Sequence, residues 1–146
     1  MSRDDKTGLC TEELMLMLQN CKDIGAVLCD NAKSINDPGL AAHLAQLTQK
    51  HNTSIAEVAE RAILSRSFAY QVYGGYRSPG RDVLLRMAFA MQLSVAETQR
   101  LLCIAQKGQL YPRVRRDAAV IFCIKNGKNL FEINDLLMSI DEPPLV

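Results

Sequence analysis

Apolar residues recur along most of the chain at intervals of three and four, which is the period of a helix with one buried face. In the central part, Ile55, Val58, Ala59 and Ala62 follow this spacing. Runs in which apolar and polar residues alternate, as in a half-buried strand, do not exceed a few residues. The pattern therefore predicts an all-α protein.

Helix-start signals divide the chain into successive predicted helices. Ser, Thr, Asp and Asn favour the position before a helix because their side-chain oxygens accept hydrogen bonds from the free amides of the first turn. Such residues, or a Pro-Gly pair, predict helices that begin near Thr11, Asp37, Ser54, Ser65, Pro79, Ser94, Asp117 and Asn129. The helix near Pro79 is expected to run from Arg81 to Met91.

The stretch from Ser54 to Arg77 reads as two short helices joined by a tight turn. Ser54 and Glu57 have the spacing of a capping box, in which the hydroxyl and the carboxylate each accept a bond from a backbone amide. Ser65 is the predicted N-cap of the second helix. This helix is expected to end at Gly74-Gly75, where a positive φ has no steric cost.

The second of these helices has two distinct faces at about 100° per residue. One face is apolar and is expected to lie in the core; it consists of Phe68, Ala69, Val72 and Tyr73. The other face carries hydrogen-bonding side chains, from Arg66, Ser67, Tyr70 and Gln71. A row of this kind fits the major groove of DNA, and the alternative is a polar face that meets only water.

Here the chain resembles the lambda-repressor-like, Cro/C1-type (XRE) helix-turn-helix family, over roughly residues 39–95. The resemblance rests on Ala59, Leu64-Ser65, the exit Gly75-Tyr76-Arg77-Ser78-Pro79 and an L-x-x-x-A-x-A-x-x-L helix from Leu84 to Leu93. One position departs from the family pattern. Ile63 stands where the family usually has glycine in the turn, and a β-branched residue disfavours positive φ.

The resemblance implies a five-helix bundle from Leu40 to Ala105 that binds double-stranded DNA, commonly as a two-fold homodimer. It implies base contacts from Arg66, Ser67, Tyr70 and Gln71, and phosphate contacts from Ser54, Tyr76 and Arg77. We therefore expect a sequence-specific transcriptional regulator that reads the major groove with the Ser65–Tyr73 helix. The alternative is a protein-interaction module that keeps the fold without binding DNA, which Ile63 and the bulky Tyr70 favour.

Three parts are predicted: an N-terminal arm and helix over 1–36, a DNA-binding domain over 37–108 and a C-terminal helical hairpin over 109–146. Two apolar surfaces are candidates for the homodimer contact. They are an N-terminal stripe of Leu14, Met17, Leu18 and Cys21 and the hairpin around Phe122, Ile133 and Leu137. We favour the stripe, because its helix is apolar on more than one face. The alternative is that this helix folds back on its own domain.

Charge is unevenly distributed, although the net charge of the 146 residues is only +1. Residues 66–116 hold nine Arg or Lys and two acidic residues, while residues 1–30 and 117–146 are each net acidic. A basic middle suits a polyanionic ligand. The alternative is that several of these arginines form ion pairs with acids from the two ends.

Other functional chemistry is not indicated by the sequence. The five cysteines show no C-x-x-C spacing, and His43 and His51 lack further ligands for a metal. Phosphate-binding loops, nucleophile elbows, signal-peptide patterns and membrane-spanning runs are missing. We therefore expect a cytoplasmic protein with reduced cysteines that is not an enzyme, needs no cofactor or metal and binds no small molecule.

Overall fold

The computed structural model describes residues 39–146, together with Glu12, Met15, Leu16 and Gln19. Within residues 39–146 every regular element is a helix, which confirms the all-α prediction. The helices are α1 (Gly39–Lys50), α2 (Ile55–Arg61), α3 (Arg66–Tyr73), α4 (Arg81–Met91), α5 (Val95–Ile104), α6 (Arg115–Lys125) and α7 (Leu130–Ser139).

The predicted caps begin four of these helices. The side chains of Ser54, Ser65, Ser94 and Asn129 each accept a bond from the backbone amide three residues later. The capping boxes of Ser94 and Asn129 are complete. At Ser54 only half of the predicted box forms, because the Glu57 carboxylate accepts from the Ser54 hydroxyl and pairs with Arg61 instead of bonding the Ser54 amide.

Helix α4 lies at the centre of the core. It contacts α2, α5 and α7, and its apolar residues point in almost every direction around the axis. Leu84, Leu85 and Met87 have no exposed surface. A helix that is apolar on nearly all sides must be covered on nearly all sides, and α2, α5 and α7 provide much of that cover.

Helices α6 and α7 pack on each other; α6 also contacts α5, and α7 also contacts α4. The sequence of α6 is wholly apolar from Ala118 to Ile124, a pattern that predicts the most buried helix of the C-terminal part. Val120 and Cys123 are buried, but Phe122 points outward and is 55% exposed. The helical period explains the difference, because a run that is apolar on all faces still turns one face to solvent when neighbours cover only the other.

By its contacts the chain divides into two units, 1–38 and 39–146. Within the first unit, Met15 and Leu16 are helical and exposed, while the stripe of Leu14, Met17, Leu18 and Cys21 lies outside the described residues, as does the predicted cap Asp37. The separate boundary near 108 stays a prediction. Among the described residues, none of the helices combines the length and the apolar character needed to cross a membrane.

Glu97 connects the end of α1 to the start of α5. Its carboxylate closes the Ser94 capping box and lies 2.9 Å from both Lys50 Nζ and His51 Nε2. Burial of the carboxyl favours its neutral form, but the Ser94 amide and the bonds to His51 and Lys50 outweigh burial and lower the pKa of Glu97 to about 2.

We expect Glu97→Gln to lower the free energy of unfolding by about 1–2 kcal/mol near neutral pH, because Gln can keep the cap but loses the charge. The folded pKa lies below the ordinary 4.5, so the contribution of Glu97 is present above about pH 5 and is lost as pH falls towards 2. Denaturant unfolding of both proteins from pH 7 to pH 2 measures this difference. A difference that stays constant with pH would contradict the prediction.

Candidate nucleic-acid interface

The turn between α2 and α3 is built around one residue in the left-handed region, Ile63, with φ of +57°. The Leu64 amide donates to the Ala59 carbonyl at 2.8 Å, and the Ile63 amide donates to the Glu60 carbonyl at 3.2 Å. These are the two bonds of a Schellman motif, whose left-handed position is usually glycine. The turn therefore has ordinary Schellman bonding with an unfavourable residue at its left-handed position.

Arg86 of α4 holds this turn from the other side. Its Nε donates to the Ala62 carbonyl at 2.9 Å, and its Nη2 donates to the Ile63 carbonyl. Both carbonyls lie past the last helical bonds of α2, so the guanidinium satisfies acceptors that the helix leaves open. This contact could not be predicted from sequence patterns, because the partners are more than 20 residues apart in the chain.

Helix α3 is anchored by its apolar face. Ala69 and Val72 are buried, while Phe68 and Tyr73 are partly buried against the core. The Tyr73 hydroxyl lies 2.7 Å from Thr48 Oγ1. Thr48 uses its single hydroxyl proton to bond the Leu44 carbonyl at 2.7 Å, so Tyr73 is the donor of this pair.

The opposite face of α3 carries the predicted base-contacting residues. Arg66, Ser67 and Tyr70 are exposed, Tyr70 to 53%, whereas Gln71 is partly buried. Within the described part of the chain, none of these four side chains forms a hydrogen bond or ion pair. The side chains of Arg66, Ser67 and Tyr70 are therefore accessible to a ligand. Gln71 is less exposed than the helical period alone predicted.

The segment after α3 carries two of the three predicted phosphate contacts. Tyr76 is 86% exposed, and Arg77 is exposed with its guanidinium carbon 5.7 Å from the centroid of the Phe68 ring. Gly75 has φ of +81°, as expected, but Gly74 has an ordinary helical φ of −82°. Gly74 instead provides space, because a Cβ there would lie 2.9 Å from the Tyr76 ring.

The third predicted phosphate contact, Ser54, is exposed at the start of α2. Its hydroxyl is occupied within the helix, since it accepts from the Glu57 amide at 3.2 Å and donates to the Glu57 carboxylate at 3.2 Å. A groove open to solvent begins beside Ser54 and passes Thr48, Tyr70 and Tyr73. This groove therefore adjoins the exposed face of α3.

The basic middle of the sequence divides into two groups of cations. Arg81 pairs with Asp117 at 2.8 Å, Arg116 pairs with Asp82 at 2.8 Å, Arg86 bonds backbone carbonyls, and Arg100 also has an interaction. In the described residues the others have no acidic partner: Arg66, Arg77, Lys107, Arg113 and Arg115. The alternative was that several arginines pair with acids from the two ends of the chain. Arg81 does so with Asp117, whereas Arg116 pairs with Asp82 from the basic middle itself.

A metal centre is not formed in the part of the chain that the structure describes, where no three His, Cys, Asp or Glu side chains come together. His51 instead bonds Glu97. Comparison of the chain with known protein families, with curated proteins and with solved structures finds no match. The resemblance to the XRE family thus stays an expectation from the sequence.

We expect Ile63→Gly to raise the free energy of unfolding by about 0.5–1 kcal/mol. Relief of a left-handed non-glycine residue, worth about 1–2 kcal/mol, exceeds the added flexibility of the unfolded glycine chain. Ile63→Ala is the matched control, because it removes the same side chain and keeps the backbone strain. Denaturant unfolding compares the three proteins, and a glycine variant less stable than the alanine variant would show that the turn is unstrained.

Proposed function

We propose that the chain is a sequence-specific DNA-binding regulator that reads the major groove with α3 and acts in the cytoplasm without a cofactor. The observation that carries the proposal is the open face of Arg66, Ser67 and Tyr70 on a helix whose other face is anchored in the core. A short helix that presents unpaired polar side chains on a rigid support is suited to contact base edges.

The surrounding groups support the same proposal. Arg77 and Tyr76 follow the C-terminal end of α3, where exposed donors can bond phosphates and fix the position of the helix on the duplex. Arg66 adds a second exposed cation at the start of α3, one without an acidic partner among the residues that the structure describes. We propose that α1 to α5 form the repressor-like bundle implied by the sequence, with α2 as the supporting helix.

Alanine variants of Tyr70 and Arg77 distinguish a base contact from a phosphate contact. In Tyr70→Ala we expect specific affinity to fall about tenfold or more while non-specific affinity is unchanged, because an apolar contact to a thymine methyl discriminates bases. In Arg77→Ala we expect both affinities to fall and the slope of log affinity against log salt to flatten by about one.

The measurement is a gel-shift titration at several salt concentrations, with a duplex recovered by the full chain from a random-sequence pool and a scrambled duplex of equal length. Recovery of no preferred duplex would overturn the proposal. Equal losses of specific and non-specific affinity in Tyr70→Ala would remove Tyr70 from the base-reading set and leave the remaining face to be tested.

A second candidate function, a protein-interaction module, is favoured by the apolar residues exposed on α6 and α7. Phe131 is 71% exposed, Met138 64% and Phe122 55%. Such residues are common at protein contacts, where aromatic side chains and Met are enriched relative to the rest of the surface. Under this alternative the chain would retain a protein partner at a salt concentration that abolishes all duplex binding, and no duplex would be selected from the random pool.

We further propose that the regulator binds as a homodimer, because one short helix reads too few base pairs to select a genomic site. Of the hairpin residues first considered for the contact, Ile133 and Leu137 have no exposed surface and belong to the core. Of those three residues only Phe122 is exposed, and α7 in addition exposes Phe131 and Met138. The N-terminal segment stays the favoured contact.

The full chain is expected to be dimeric at tens of micromolar, and deletion of residues 1–30 is expected to yield a folded monomer. Phe131→Glu tests whether the hairpin forms the homodimer contact. This variant should stay dimeric, because a charge added outside the contact surface does not weaken the dimer. Sedimentation velocity gives the masses. A dimeric deletion variant together with a monomeric Phe131→Glu would place the contact on the hairpin instead.

A further inference from the structure

The segment between α5 and α6, residues 105–114, contains no helix but is held firmly to its neighbours. The Gln99 side-chain amide bonds both backbone groups of Leu110. Its Nε2 donates to the Leu110 carbonyl at 2.8 Å, and its Oε1 accepts from the Leu110 amide at 2.7 Å. The Leu110 side chain is buried in the core. A surface loop with this many fixed points is pre-organised, which lowers the entropy cost of a contact it makes.

Two charged residues fix the same segment to the first turn of α4. Arg81 donates to the Gly108 carbonyl at 2.8 Å and to the Gln109 carbonyl at 3.1 Å, and it forms a two-bond pair with Asp117. Asp117 also accepts the Tyr111 amide at 3.0 Å. Burial of Asp117 favours its neutral form, but Arg81 and the Tyr111 amide outweigh burial and lower the pKa of this carboxyl.

These internal pairs leave the segment with unneutralised positive charge. Asp82 and Asp117 are both occupied by arginines, since Arg116 bonds Asp82 at 2.8 and 3.1 Å. Arg113 and Arg115 are exposed and, in the described residues, form no ion pair or hydrogen bond. The end of the segment and the first residue of α6 therefore present two exposed guanidinium groups that have no partner among the described residues.

The position of these two groups follows from the chain path. Arg77 precedes Arg81 by four residues, which span at most about 15 Å. Arg81 is bonded directly to the loop and to Asp117, two residues after Arg115. The exit from α3 leads into the N-terminal end of α4, and the loop before α6 is bonded to that same end.

We propose that residues 111–115 form a second contact to the DNA backbone, in which Arg113 and Arg115 bond phosphates beside the site that α3 reads. This inference rests on the proposed DNA-binding function and assigns to that function a surface outside the helix-turn-helix segment. Guanidinium groups suit phosphate because they can form two parallel bonds, and a pinned loop sets their spacing. The exposed Tyr111 hydroxyl is a further donor in the same segment.

The test is the salt dependence of the double variant Arg113→Ala/Arg115→Ala in the full chain. The probe is the duplex recovered by the full chain from a random-sequence pool, long enough to extend one helical turn beyond the selected sequence. Loss of two phosphate contacts should flatten the slope of log affinity against log salt by about two. The ratio of specific to non-specific affinity should stay within about twofold, because phosphate contacts carry no sequence information.

Two matched variants serve as controls. Arg113→Lys/Arg115→Lys keeps both charges and should keep most of the slope. Lys125→Ala removes an exposed cation from the opposite end of α6, about 15 Å along the helix axis from Arg115, and should leave the slope unchanged.

The outcomes separate this inference from the proposed function. Selection of a duplex by the full chain, with an unchanged slope in the double alanine variant, overturns the second contact and leaves the proposed function standing. Failure of the full chain to select any duplex overturns the proposed function. An unchanged slope with a loss of dimer mass shows that the loop binds an acidic surface of a second copy, which also overturns the phosphate contact.

Discussion

The orientation of α3 depends on a backbone conformation that its sequence disfavours. The chain changes direction within a few residues after α2, and it does so at left-handed Ile63, at a cost of about 1–2 kcal/mol. The Ile63 side chain is 47% exposed and recovers little of this by burial. Compensation comes from the Schellman bonds of the turn and from Arg86, which bonds the carbonyls that the turn leaves open.

Local features of the fold were predictable because their causes lie within one turn of helix. The caps at Ser94 and Asn129 form as their spacing indicates, and the apolar period separates Val72 of the core from exposed Tyr70. The helical period alone did not predict the correct exposure of two side chains. Gln71 is partly buried and Phe122 is exposed, since the cover given by neighbouring helices decides both.

Contacts between residues far apart in the chain could not be predicted from the sequence. Charge counting along the chain could not distinguish arginines that serve the interior from those that face solvent. Arg81 and Arg116 sit in crossed pairs with Asp117 and Asp82, and they bind the first turn of α4 to the start of α6. The surface of the middle region consequently carries less positive charge than the count of its Arg and Lys residues suggests. The remaining charge is concentrated in a few exposed side chains.

The Arg86 contact has a consequence for how this sequence can change over evolution. Position 63 lies in the turn and position 86 lies in the central helix, yet the two are coupled because the Arg86 guanidinium donates to the Ile63 backbone carbonyl. In a homologue with glycine at position 63, the turn would no longer depend on external support, and selection to keep arginine at position 86 would relax. Substitutions at these two positions should therefore covary among descendants of a common ancestor, without any contact between their side chains.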